Sequence, residues 1–266
     1  MSTAVASVVG LTFTPVKATR LHTVDRVDLG PDGLVENRRF YLIDDRDRMI
    51  NSKIIGELQT VIADYSHPDR TLRLRLPDGG VVEGEVELGD QVVVRFFSTQ
   101  RTGRLVKGPW SEALSRVAGR PLRLVEPSSP GGGVDRGADG AVSLISRASL
   151  ARLAEVGGVE SLDSRRFRMM IEIDGVSAHA EDRWVDNGSI RVGSAVVAFS
   201  GHVGRCLITS RDPDTGAVDV PTLDLLGSYR GGDAIESTEP LPFGVWGRVV
   251  KPGTVRVGDE VSPLDG

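Results

Sequence analysis

Residues 71–76 alternate without exception, with Leu72, Leu74 and Leu76 on one side of an extended chain and Arg73 and Arg75 on the other. A period of two marks a half-buried strand, because successive side chains leave a pleated backbone on opposite faces. The stretch ends at Pro77-Asp78-Gly79-Gly80, a turn signal. The same pattern recurs nearby. Residues 8–13, 39–44 and 91–97 are rich in apolar, β-branched or aromatic side chains, and Pro31-Asp32-Gly33 and Leu88-Gly89-Asp90 punctuate them. Short strands at this spacing predict a barrel or a strongly bent sheet.

Helices are fewer. Residues 110–118 predict one, stopped by Gly119. Residues 146–156 predict a second, with Ser146 as its N-cap, Leu150 and Leu153 on one face and Gly157-Gly158 at its end. Residues 223–229 are compatible with a short third. Residues 168–173, 189–192, 195–200, 245–250 and 254–257 return to strand. Between the halves lies 127–140, rich in Pro, Gly, Ser and Asp, which reads as a linker or as a long ordered loop at a site. The expected fold class is α+β and β-rich, in two domains spanning 1–126 and 127–266.

Composition narrows the function classes. The formal net charge of -5 argues against a nucleic-acid-binding domain, which favours a basic face. The longest apolar runs fall far short of the roughly twenty residues a spanning helix needs. No basic segment followed by a long apolar run opens the chain, so a cytoplasmic location without membrane association is expected. One cysteine cannot form an internal disulfide or hold an iron–sulfur cluster by itself.

That cysteine, Cys206, is the sharpest chemical feature. It follows a predicted strand through Gly201-His202-Val203-Gly204-Arg205, and the neighbouring guanidinium of Arg205 favours the thiolate, the form that binds metals. A buried structural cysteine is the competing reading. His179 and His202 would allow a zinc site or a Cys–His hydrolase, but the paired ligand spacing of zinc sites is missing. Asp212-Pro213-Asp214-Thr215-Gly216 reads as a tight turn and lacks the spacing of a calcium loop. Lys17, Arg20, Arg38, Arg39, Arg165, Arg166 and Arg168 gather near strand ends, which fits either an anion pocket or scattered solvated charge.

The segment from Arg205-Cys206-Leu207-Ile208-Thr209-Ser210 to Thr215-Gly216 resembles the core signature of the MOSC superfamily, in the branch that holds the mitochondrial amidoxime-reducing components and their bacterial relatives. Thr14-Pro15-Val16-Lys17 resembles that branch's "PVK" opening. Asn37-Arg38-Arg39-Phe40 resembles its "DRxW" strand, Ser146-Arg147-Ala148-Ser149-Leu150 its "SEASL" helix start, and Ala180-Glu181-Asp182-Arg183-Trp184 its "AEDxW". Phe243-Gly244 with Pro252-Gly253-Thr254-Val255-Arg256-Val257-Gly258-Asp259 resembles its "FG…PGTIxVGD".

The resemblance implies a MOSC β-barrel packed against an N-terminal β-barrel-like domain, with a pyranopterin molybdenum cofactor between them. It places Cys206 as the protein ligand to the metal, and Lys17, Arg39, Ser146, Arg168 and Arg205 as cofactor contacts. Asp182 or His179 would assist proton delivery. The implied activity is reduction of an N-hydroxylated or N-oxide small molecule, with electrons from a separate flavoprotein or ferredoxin-type protein. The alternative is a non-catalytic carrier of cofactor or of persulfide sulfur. The sequence departs from the family at Ala18, where a small polar residue is usual. It departs again at Met170, where "NFRPN" ends in an Asn, so a donor and an acceptor toward the cofactor are expected to be lost.

Overall fold

The computed structural model describes residues 6–129, 131–231 and 237–264. Seven strands close into a barrel, in the order Ile171–Asp174, Val142–Ser146, Pro242–Lys251, Ala195–Gly204, Ser189–Val192, Glu260–Leu264 and Ala6–Phe13. Closure comes from Ala6–Phe13, which pairs antiparallel with both Glu260–Leu264 and Ile171–Asp174. Closing the ring removes the unpaired edges that an open sheet would present. Ala6–Phe13 lies on the N-terminal side of residue 126 and is nonetheless built into this barrel.

The barrel interior is apolar throughout. Leu11, Leu144, Ile171, Ile173, Ile190, Val197, Phe199 and Val245 are fully buried together. Burying each such side chain contributes about 1.5–3 kcal/mol. Met170 belongs to this interior. It is 3% exposed, its amide donates to Ser143 Oγ at 3.0 Å and its carbonyl accepts from Thr12. The Met170 side chain packs among the apolar residues of the barrel core.

The N-terminal unit is a five-stranded sheet, ordered Met49–Ile50, Tyr41–Ile43, Arg123–Pro127, Thr99–Lys107 and Glu87–Phe96, with a three-stranded sheet of Ile62–Ser66, Thr71–Arg75 and Val81–Glu85. Leu72 and Leu74 are fully buried, while Arg73 and Arg75 are exposed, as their alternation requires. Helix α1 (Trp110–Ala118) seats Trp110 among them, its indole N–H donating to Leu72 O at 3.0 Å. Gly119 ends α1 in the left-handed conformation, at φ 66°. Helix α2 (Arg147–Val156) starts at Ser146, whose hydroxyl accepts from the Ser149 amide. Helix α3 spans Thr222–Arg230. Among the described residues, no helix is long and apolar enough to cross a membrane.

Several strands start or stop where the backbone turns left-handed. Arg38 at φ 50° delays the strand expected at 39–44 until Tyr41–Ile43. Arg168 at φ 53° caps the short 3-10 helix Ser164–Phe167 and delays the strand expected at 168–173 until Ile171. Phe97 at φ 56° ends Glu87–Phe96.

Candidate functional site

A cleft of about 990 Å³, open solvent at its mouth included, is lined from both units. The N-terminal unit supplies Lys17, Ala18, Arg38, Asn51, Ser52, Lys53 and Phe97; the loop at 131–140 and the barrel supply Asp135, Arg136, Arg168, Met169, Arg205, Cys206 and Trp246. Cys206 is the free thiol of this lining, partly exposed, at the point where Ala195–Gly204 gives way to the 3-10 turn Leu207–Ser210. The loop at 131–140 is ordered and forms one wall, held by Arg101, which donates to the carbonyls of Gly132, Val134 and Asp135.

The lining is strongly cationic. Lys17, Arg38, Lys53, Arg136, Arg168 and Arg205 share the lining with one carboxylate, Asp135, and Arg136 is also paired with Glu239 off the lining. Lys17 is nearly fully buried, and burial pushes its ammonium down to about 8 despite its ion pair with Asp135. Arg168 is pushed down to about 9, by burial first and then by the neighbouring charge of Arg38. It donates to Thr19 O at 2.7 Å, and Arg38 in turn donates to Arg168 O at 3.2 Å. These shifts have one physical meaning: like charges are held together out of water, and an anion in the cleft would relieve them. Ser52 Oγ is buried on the same lining without a hydrogen-bond partner, another group left for a ligand to satisfy.

Backbone strain collects here as well. Ala18 at φ 86°, Arg38 at φ 50° and Arg168 at φ 53° all occupy the left-handed region and all line the cleft. Such conformations cost about 1–3 kcal/mol each and gather at ligand sites.

Of the residues expected from the sequence, the fold brings Cys206, Lys17, Arg168 and Arg205 together on one lining. Arg205 does so with its nitrogens committed elsewhere: to Phe243 O, to Phe167 O at 2.8 Å and to Met169 Sδ at 3.0 Å. Burial pushes it down to about 9, against the attraction of the adjacent Cys206. Arg39 lies off the lining, paired with the buried carboxylate of Glu126, which also takes Arg70. The residue that reaches the cleft is Arg38, and the "DRxW" correspondence itself aligns its arginine there. Ser146 is fully buried as the cap of α2, with its hydroxyl against Ser149 Oγ and its amide donating to Glu181. Asp182 is also off the lining. Despite the burial that would raise it, contacts from His202 and Arg230 hold its carboxyl below the usual range.

His179, pushed down to about 4 by burial and by Arg230, does not reach the cleft. The described lining contains no imidazole, and no group of three His, Cys, Asp or Glu side chains converges among the described residues. The zinc and Cys–His readings therefore have no geometry behind them. Sequence reasoning missed Asp135, Arg136, Ser52, Lys53 and Trp246, since nothing local marks a loop or strand residue that only tertiary folding delivers to a cleft. The loop composition at 127–140 was the one available signal.

The family model for the MOSC domain matches residues 131–262. Mitochondrial amidoxime reducing component 2 of Homo sapiens is 37% identical over 107 residues, covering 38% of this chain and 31% of that protein. Mitochondrial amidoxime-reducing component 1 of Danio rerio is 30% identical over 195 residues, covering 64% of this chain and 56% of that protein. The matched segments thus span between about a third and just over half of these relatives' lengths. Among solved structures, the YuaD protein of Bacillus subtilis is a distant likeness at 12% identity and a TM-score of 0.42, over 96% of this chain and 93% of that one. Residues 131–262 are a MOSC domain, and the chain is a MOSC-domain protein related to the mitochondrial amidoxime-reducing components.

Proposed function

We propose that the cleft binds a pyranopterin molybdenum cofactor, with Cys206 as the protein ligand to the metal, and that the protein reduces N-hydroxylated or N-oxide small molecules. The observation that carries this reading is the lining: one accessible thiol among six cationic side chains and one carboxylate, in a chain whose net charge is -5. A soft thiolate suits a soft metal centre, and guanidinium and ammonium groups suit a phosphate-bearing ligand. The relatives' names, as amidoxime-reducing components, support the reductase class.

When bound, the cofactor would supply the two-electron chemistry at its metal. The chain's own residues would do the rest. Cys206 would contribute its thiolate from a turn fixed by Thr209, whose amide and hydroxyl both donate to Cys206 O. Lys17, Arg38 and Arg168 would hold the anionic part, and Ser52 would gain a partner for its buried hydroxyl. Asp135, the carboxylate of the lining, is paired with Lys17, just as Asp182 is paired with Arg230 off the lining. Electrons would come from a separate flavoprotein or ferredoxin-type donor.

The test is reduction of an N-hydroxylated amidine and of an N-oxide by protein purified from a cofactor-producing host, with reduced methyl viologen as donor. The reading requires product formation that Cys206→Ser abolishes. Metal-loaded protein that reduces neither compound would refute it.

A further inference from the structure

The hairpin between Glu87–Phe96 and Thr99–Lys107 turns through two residues, Phe97 and Ser98, with Phe96 and Thr99 as the closing pair. Two-residue hairpin turns demand a left-handed backbone at their first position, and Asn, Asp or Gly fills it because their side chains tolerate that conformation. Here the position holds an aromatic residue, Phe97, at φ 56°. The choice opposes turn chemistry, and burial does not explain it. Phe97 is 51% exposed, and its ring meets Phe96 edge-on, with centroids 5.4 Å apart. A residue that breaks a local rule without packing into a core points to use at a site.

The site is at hand. Phe97 lines the same cleft as Cys206 and stands at its mouth, half in solvent. Its surroundings are braced. The Arg101 guanidinium lies 3.9 Å from the Phe96 ring centroid and holds the facing loop through the carbonyls of Gly132, Val134 and Asp135. Beside this braced wall, the half-exposed Phe97 ring adds an apolar face to a polar, cationic cleft. A ligand complementary to this pairs a polar, reducible end with an apolar or planar body left at the entrance.

We infer that Phe97 is a specificity-determining residue, whose ring packs on the apolar or aromatic body of the substrate while the N–O end lies deeper in the cleft. The inference rests on the reductase reading above. It makes the hairpin a trade of turn stability for substrate contact.

Phe97→Asn separates the two halves of that trade. Asn suits the turn, so the melting temperature should rise by about 2 °C or more. The KM for benzamidoxime should rise about five- to tenfold at unchanged kcat. The KM for acetamidoxime, which carries a methyl group in place of the ring, should not move. The inference is overturned by a melting temperature that fails to rise, by an unchanged benzamidoxime KM, or by equal losses with both amidoximes. A higher KM for the electron donor alone would also overturn it and assign the ring to donor docking. Should the metal-loaded wild type reduce neither amidoxime, the reductase reading fails by itself, and saturation-transfer NMR of benzamidoxime on the protein reads Phe97 directly. A ligand signal lost in Phe97→Asn supports the role; no signal in the wild type, or equal signal in both proteins, removes it.

Discussion

Arg205 and Phe167 are joined by a hydrogen bond of 2.8 Å from the guanidinium to the backbone carbonyl, 38 residues apart in sequence. The same guanidinium reaches Phe243 O and Met169 Sδ, so the residue next to Cys206 knits the 3-10 helix Ser164–Phe167 to the strand Pro242–Lys251. Its role is to fix the cysteine's strand exit, more than to supply a free charge to the thiol.

Arg205→Lys should therefore fail to rescue Arg205→Ala. A single ammonium cannot serve three separated acceptors, and each buried carbonyl left unpaired costs about 1–3 kcal/mol. Both variants should lose about 2–4 kcal/mol in urea unfolding, with a lower midpoint. A Lys variant of wild-type stability would refute the bracing role.

Lys17 should give the fold a pH signature. Its ammonium titrates near 10.5 in the unfolded chain and near 8 when buried. Between those values the unfolded chain binds the extra proton, so stability rises with pH through that window and the penalty stays in full below about 8. Unfolding free energies measured across this range should show the rise in the wild type and not in Lys17→Met.

Anion binding should follow the same group with the opposite sign. Sulfate keeps its charge over this range, so its affinity for cofactor-free protein should fall as pH rises through about 8, where Lys17 loses its proton. Asp135→Asn removes the carboxylate that competes for Lys17 and should tighten sulfate severalfold. Calorimetric titration checks both; an unchanged affinity in Asp135→Asn would show that Asp135 does not compete.

The turn after Cys206 docks on the N-terminal unit through backbone contact too close for a side chain. A Cβ on Gly216 would clash with Gly56 O, and Gly216 sits at φ 74°. Arg165 links Asp214 of this turn to Asp163, and Arg166 grips Asp219 through two bonds of 2.6 and 2.7 Å. Gly216→Ala should cost about 1–3 kcal/mol and weaken metal retention, because the Cys206 segment loses its footing. Thermal melting and metal content together check this.

Much of this was legible in the sequence wherever the signal was local. The alternation at 71–76, the cap at Ser146 and the stop at Gly119 report short-range physics, and the chain folds there as read. The thiol at Cys206 and the cations at Lys17 and Arg168 were visible as residue types, and the fold places them on one lining. What stayed hidden depends on orientation. Arg38 and Arg39 are neighbours in the same motif, and a left-handed φ at Arg38 decides which of them faces the cleft. Met169 and Met170 differ in the same way: one lines the cleft and the other fills the barrel. Asp182 looked available until Arg230, 48 residues away, closed on it at 2.8 Å. Barrel closure by Ala6–Phe13 onto Ile171–Asp174 joins segments some 160 residues apart, and no local pattern encodes that pairing.

The most direct test of the central claim is molybdenum per chain, by mass spectrometry, in protein made in a host that synthesises the pyranopterin cofactor and in one that cannot. About one metal per chain is expected from the first host only, and its loss in Cys206→Ser. Metal retained by Cys206→Ser would contradict the ligand assignment. No molybdenum from either host, with an extra sulfur on Cys206, would contradict the reductase and favour a persulfide carrier.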